Sequence, residues 1–211
     1  MPRTTYHTWA AAVACAAALS GCSETIREGD GPVQAMVTSL EAAPGAEPTR
    51  FGGTLSSDVL TVVKKDLNGV KIQVPTIFSD AGRVVVTLAL KNPGLPGSPT
   101  SPTAMNDVTF TRYRVVYKRA DGRNTPGVDV PYPFDSAATF TARVGTSVPA
   151  GFELVRVTAK EEAPLRSLVE NGNTFITTIA DVTFYGQDRA GNDVSAGGSI
   201  GITFGNFGDP D

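Results

Sequence analysis

The chain has 211 residues with 18 basic and 21 acidic side chains, a formal net charge of −3, which fits one domain of ordinary size and excludes a nucleic-acid binder that relies on overall basic charge. With 22 Gly and 15 Pro it is not rich enough in either to be a disordered chain. Val, Thr, Ile, Phe and Tyr supply 69 residues against 11 Leu; β-branched and aromatic side chains suit a pleated, half-buried surface, so the expected fold class is all-β.

The first 22 residues read MPRTTYHTWAAAVACAAALSGC. Arg3 is the one formal side-chain charge ahead of an apolar run from Trp9 to Leu19, and small residues follow, the pattern of an export signal. The run is too short to cross a hydrocarbon core of ~30 Å as a helix. Leu19-Ser20-Gly21-Cys22 resembles the lipobox of bacterial lipoproteins at all four positions. That resemblance implies a signal peptide over 1–21, a lipid on the Cys22 thiol, and attachment to a membrane of the cell envelope. Ser23, where Asp favours inner-membrane retention in enterobacterial lipoproteins, implies by analogy the outer membrane.

Cleavage before Cys22 removes His7, Trp9 and Cys15, the only His, the only Trp and the only other Cys. What is left has 17 basic and 21 acidic side chains. Ser-His-Asp and Cys-His machinery cannot be built from it, nor can Cys/His zinc sites or His-ligated iron, copper or haem, nor an internal disulfide. Paired carboxylates, a Ser-Lys dyad or a hard metal on Asp/Glu remain as routes to catalysis. No phosphate-binding glycine loop is present, and none of the six lysines sits in an S-x-x-K motif. The expectation is a non-catalytic protein with no cofactor and no metal.

Residues 22–32 are polar with Gly and Pro and read as a flexible tether; the folded domain is expected over 33–208. Val33–Ala43 is a first strand candidate and Pro44–Arg50 a loop. Val59–Lys64 and Val70–Val74 flank Asn68-Gly69, a strong hairpin turn. Arg83–Lys91 alternates, with Val84, Val86, Leu88 and Leu90 on one face. Asp107–Arg119 follows the Pro-rich loop Asn92–Pro102. Further strands are expected at Ala138–Val144, Phe152–Lys160, Thr174–Gln187 and Val194–Phe204, and a bulge or bend at Gly197-Gly198. Two strands change phase: Val108 and Phe110 give way to Tyr113, Val115 and Tyr117, and Phe175 and Ile179 give way to Val182 and Phe184. A β-bulge is therefore predicted near Thr111–Arg112 and another near Ala180. One short helix is predicted within Glu162–Gly172, with Pro164 early and Gly172 at its end. Val84, Val86, Leu88, Val115, Tyr117, Val182, Phe184, Ile200 and Ile202 are the expected core.

Strands parted by Gly/Pro/Asn/Asp turns point to a sandwich or barrel. Tyr113-Arg114-Val115-Val116-Tyr117 with Asp121-Gly122 resembles strand C and the following turn of fibronectin-III domains. Thr183–Asn192 resembles the Asp-x-Ala-Gly-Asn hairpin of bacterial immunoglobulin-like repeats. These resemblances imply an immunoglobulin-like antiparallel β-sandwich, here without the Cys…Trp…Cys set of antibody domains.

Such a sandwich would gather the loops Asn92–Asn106, Gly145–Gly151 and Asp188–Asp193 at one end, making Asp188, Arg189 and Asn192 candidate partner-binding residues. Asn106, Asp107 and Asp193 would join them in an oxygen-rich cluster. Its spacing is not that of an EF-hand, and Gly191-Asn192 is accounted for by turn geometry, so no metal is assigned. Tyr132 and Phe134, between prolines at the opposite end, are candidate contacts of the kind carbohydrate-binding modules use. Arg112, Arg114 and Lys118 read as a solvated outer face. The partners expected are the membrane, through Cys22, and a protein or a glycan, with no nucleic acid.

Overall fold

Strict alternation from Asp80 to Leu88 builds the strand at the centre of the smaller sheet. The computed structural model describes residues 31–171 and 174–208; the expected signal peptide, Cys22 and tether residues 22–30 lie outside these. Strand β5 (Asp80–Leu90) turns Gly82, Val84, Val86 and Leu88 inward and pairs antiparallel with β1 (Val33–Ala43) on one side and β10 (Val148–Val155) on the other. The larger sheet runs in the order β2 (Thr54–Asp58), β12 (Asp193–Gly205), β11 (Ile176–Asp188), β8 (Val108–Lys118), β9 (Phe134–Ala142). All its pairs are antiparallel except β2 with β12.

The two sheets pack face to face. Phe152 of β10 meets Phe184 of β11 edge-on, ring centroids 5.2 Å apart, and also meets Tyr113 of β8. A Cβ on Gly198 would lie 3.1 Å from Val37 Cγ1, so the missing side chain is what lets β1 lie close over β12. Two tyrosines stitch the layers: Tyr113 Oη donates to the Glu153 carbonyl at 2.9 Å and Tyr117 Oη to the Leu154 carbonyl at 2.7 Å. Burial pushes both phenols above their ordinary pKa, so they stay donors. All nine expected core residues are buried in one cluster.

A separate ribbon, β3 (Thr61–Leu67) and β4 (Val70–Thr76), turns at Asn68 and Gly69, both with positive φ (56° and 84°) as that turn requires. A two-residue pair, β6 (Gly94–Leu95) with β7 (Ser98–Pro99), decorates the Pro-rich loop, and a 3₁₀ turn, Ala104–Asn106, precedes β8. Two short helices, α1 (Val157–Glu161) and α2 (Ser167–Glu170), lie between β10 and β11.

The predicted bulge at Thr111 is present. Gly186 pairs with Phe110 and Tyr185 with Arg112, so Thr111 is the extra residue and two consecutive side chains face outward. The bulge expected near Ala180 is absent: β11 pairs with β12 residue for residue from Ile176 to Gln187. Thr178 takes an inward position while Phe175 and Ile179 face out, and Phe175 stacks on Phe207. Nor does β12 bulge at Gly197-Gly198. Two other expectations are corrected, and one strand is added. The strand expected over Phe152–Lys160 leaves the sheet at Val155 and continues as α1, which turns Lys160 inward toward an acid. Of the helix expected over Glu162–Gly172, the described residues form only α2, because residues 163–166 form turns, closed by Arg166 N–H to the Glu162 carbonyl; Gly172 lies outside the described residues. Strand β2, unmarked by any alternating apolar run, is held by its parallel partner β12.

Candidate functional site

The segments Asn92–Asn106, 145–147 and Asp188–Asp193 start from one end of the molecule; residues 148–151, expected as loop, are instead the first half of β10, paired with β5. Leu88 bridges Val144 and accepts from Gly145 N–H, Asp188 pairs with Val108 just after the 3₁₀ turn, and Gly31 packs on Asn192. The chain therefore enters the fold beside the β11–β12 hairpin.

Within that hairpin most of the candidates face inward. Asp188 Oδ1 accepts from the amides of Ala190 and Asn192, and its Oδ2 accepts from Asn192 Nδ2 at 2.8 Å. Burial pushes this carboxyl up, but those donors outweigh it and hold it below its ordinary pKa. Asp188 and Asn192 thus close the turn on each other. Arg189 alone projects, its guanidinium 3.4 Å from Asp107 Oδ2, an atom shared with Arg143 at 3.7 Å. Asp107 sits between two cations, Asp188 is filled by N–H donors, and among the described residues no group of three acidic side chains is placed to hold a metal.

Beside Arg189 the bulge opens a groove. Gly186 makes it possible: a Cβ there would lie 2.4 Å from the Thr109 carbonyl oxygen. Facing out from this point, Arg112 lays its guanidinium 4.1 Å above the Tyr185 ring and reaches Asp135 of β9. The depression over Thr109, Thr111, Arg112, Gln187 and Arg189 has a volume of about 540 Å³ and runs on past Tyr185 toward Asp193 and Ser195. Gln187 donates to Asp193 along its floor. The basic face expected of Arg112, Arg114 and Lys118 is matched by acids: Arg114 also binds Asp135, and Lys118 binds Asp181. Chemically this is an open groove with two guanidinium groups, one covered aromatic ring and amide and carboxylate partners.

At the other end Tyr132 and Phe134 part company. Phe134 is only 5% exposed, edge-on to Tyr113 and capped by the Arg156 guanidinium; it is a core ring, since β9 begins at this residue. Tyr132 is 51% exposed, with one edge resting over Gly127.

One cluster went unread in the sequence. Asp80 and Lys160, each 1% exposed, form an ion pair at 2.9 Å. Ser57 Oγ donates to Asp80 Oδ2 at 2.6 Å, Gly45 N–H to Oδ1, and Lys160 Nζ to the Asp58 carbonyl. Burial raises the Asp80 carboxyl against the pull of Lys160, Ser57 and Gly45. Ser57 is fully buried, so this Ser-Asp-Lys group ties β2, β5 and α1 together and offers a substrate no approach to the hydroxyl. The signal available was Asp80 in phase with Gly82, Val84 and Val86, an acid on an inward face.

Compared with family models, with curated proteins and with solved structures, the chain finds no match.

Proposed function

We propose that this protein is a non-catalytic, lipid-anchored module of the bacterial cell envelope that presents one end of an immunoglobulin-like sandwich to a protein partner. The observation that carries the reading is Leu19-Ser20-Gly21-Cys22 directly after an apolar run of signal-peptide length. The first three sandwich strands of one sheet, β1, β5 and β10, would be A, B and E of the immunoglobulin arrangement, and β8, β11 and β12 would be C, F and G. Ser23 favours the outer membrane in a cell that has one. The absence of His and of a second Cys downstream of Cys22 supports a binding role over catalysis, since a base poised near neutral pH would need a strongly shifted Asp, Glu or Lys. The exposed Arg189 and the groove beside it are the contact surface this reading uses.

Mass spectrometry of the N-terminal peptide from membranes is expected to find diacylglyceryl on Cys22, and Cys22→Ala to abolish both that modification and cleavage after Gly21. A mature chain starting at an unmodified residue defeats the anchoring. Crosslinking in whole cells is expected to recover a protein partner that Arg112→Glu with Arg189→Glu loses. The half-exposed Tyr132 ring supports a second reading, a polysaccharide-binding module; glycan-array binding that Tyr132→Ala removes would select it over the first.

A further inference from the structure

The β3–β4 ribbon is amphipathic and stands apart from both sheets. Its register sets Val63 opposite Val74, Lys65 opposite Ile72 and Leu67 opposite Val70. With side chains alternating along each strand, those six residues share one face. Lys64, Asp66, Lys71 and Gln73 share the other. From Lys64 to Gln73 every residue is exposed, and Leu67 and Val70 are 59% and 62% exposed at the tip. The ribbon holds three of the chain's six lysines against one acid, whereas the rest of the chain carries 15 basic and 20 acidic side chains. It leaves the molecule where Asp58 pairs with Gly205, the end opposite the Asp188–Asp193 hairpin. A two-stranded ribbon is at best marginally stable alone in water, and an aliphatic face gains free energy when it is covered.

We propose that this ribbon is a membrane-contact arm that lays its apolar face on an anionic lipid surface. A bilayer interface offers hydrocarbon to Leu67, Val70 and Ile72 and phosphate groups to Lys65 on the same face, whose stem lies along the apolar layer while its head stays wet; Lys64 and Lys71 on the other face add long-range attraction to the anionic surface. A second copy fits this face poorly. Lys65 lies at its centre, and two stacked faces would bring two Lys65 side chains together with no acid on either face. The acidic remainder of the molecule is repelled by the same lipid surface, which directs the arm toward it. The contact is independent of any lipid on Cys22.

The chain from Ser23 onward tests this directly. It contains every strand of both sheets, which lie between Val33 and Gly205, it lacks Cys22, and it has no Trp. Leu67→Trp therefore places a single fluorescent reporter at the tip. Vesicles of equal parts phosphatidylcholine and phosphatidylglycerol are expected to blue-shift its emission and to carry the unsubstituted chain upward in flotation. Pure phosphatidylcholine vesicles should do neither. Lys65→Glu with Lys71→Glu, both exposed and so compatible with folding, should weaken flotation roughly tenfold or more, as should Leu67→Ser with Val70→Ser and Ile72→Ser. No shift and no flotation with anionic vesicles overturns the proposal. So does equal binding to both vesicle types, or a blue shift without lipid that grows with protein concentration, which would assign the face to a second copy.

Discussion

Asp188 shows how much one side chain can settle locally. Its carboxylate accepts from two backbone amides and the Asn192 side chain, and these donors keep its pKa below the ordinary value despite burial. A carboxyl whose pKa is lower in the folded than in the unfolded chain contributes stability above its unfolded value of about 4, and that contribution disappears as the pH falls through the lowered, folded value. The urea midpoint of the protein is therefore expected to drop below about pH 4. Asp188→Asn should be less stable than the parent near neutrality and should lose less on acidification. Parallel pH profiles for the two proteins would mean that the hairpin does not depend on the ionised form. The turn itself was legible, because Asp188, Gly191 and Asn192 are residues that close tight turns. That Asp188 and Asn192 bond each other across the turn was not.

At the scale of the element, the Thr111 bulge and Gly186 work as a pair. The bulged strand crowds its neighbour at one point, and there the neighbour has no side chain. Gly186→Ala would force a Cβ to within 2.4 Å of the Thr109 carbonyl oxygen, and because that atom is backbone, the expected loss in a urea titration is about 1–3 kcal/mol. Gly151→Ala in β10, with nothing within 4 Å of the added Cβ, is the control and should change stability by no more than about 0.5 kcal/mol. Similar effects for both would mean that the bulge does not need the glycine. This bulge is legible in the sequence because Val108, Phe110, Tyr113 and Val115 are the inward set. Around Ala180 apolar and inward do not coincide. Ile179 faces solvent and Thr178 faces the core, so the apolar pattern shifts while the strand does not. The same mismatch hides β2, whose inward residues are Leu55 and Ser57, too mixed a pair to mark a strand.

Across the whole molecule, the buried Asp80–Lys160 pair joins parts of the chain that no local pattern relates. Lys160→Met leaves a buried carboxylate without its cation, and the expected cost is about 3–5 kcal/mol. Adding Asp80→Asn removes the stranded charge and keeps one acceptor oxygen for the Gly45 amide, while its Nδ2 can donate to Ser57 Oγ, so the double variant should be more stable than Lys160→Met alone. A double variant worse than the single would show that the pair is not coupled. The all-β class, the β1 span, the Asn68-Gly69 hairpin, the alternating β5 and the buried set from Val84 to Ile202 were determined by the sequence alone. Each is a local matter of side-chain period or turn chemistry, and such preferences act within a few residues. Which strands share a sheet, that Phe134 packs inward while Tyr132 stays half exposed, that Lys160 meets Asp80, and that the β3–β4 ribbon keeps a bare apolar face were decided only in the tertiary structure. Those outcomes depend on which distant surfaces meet, and burial, unlike strand period, is a property of both partners at once.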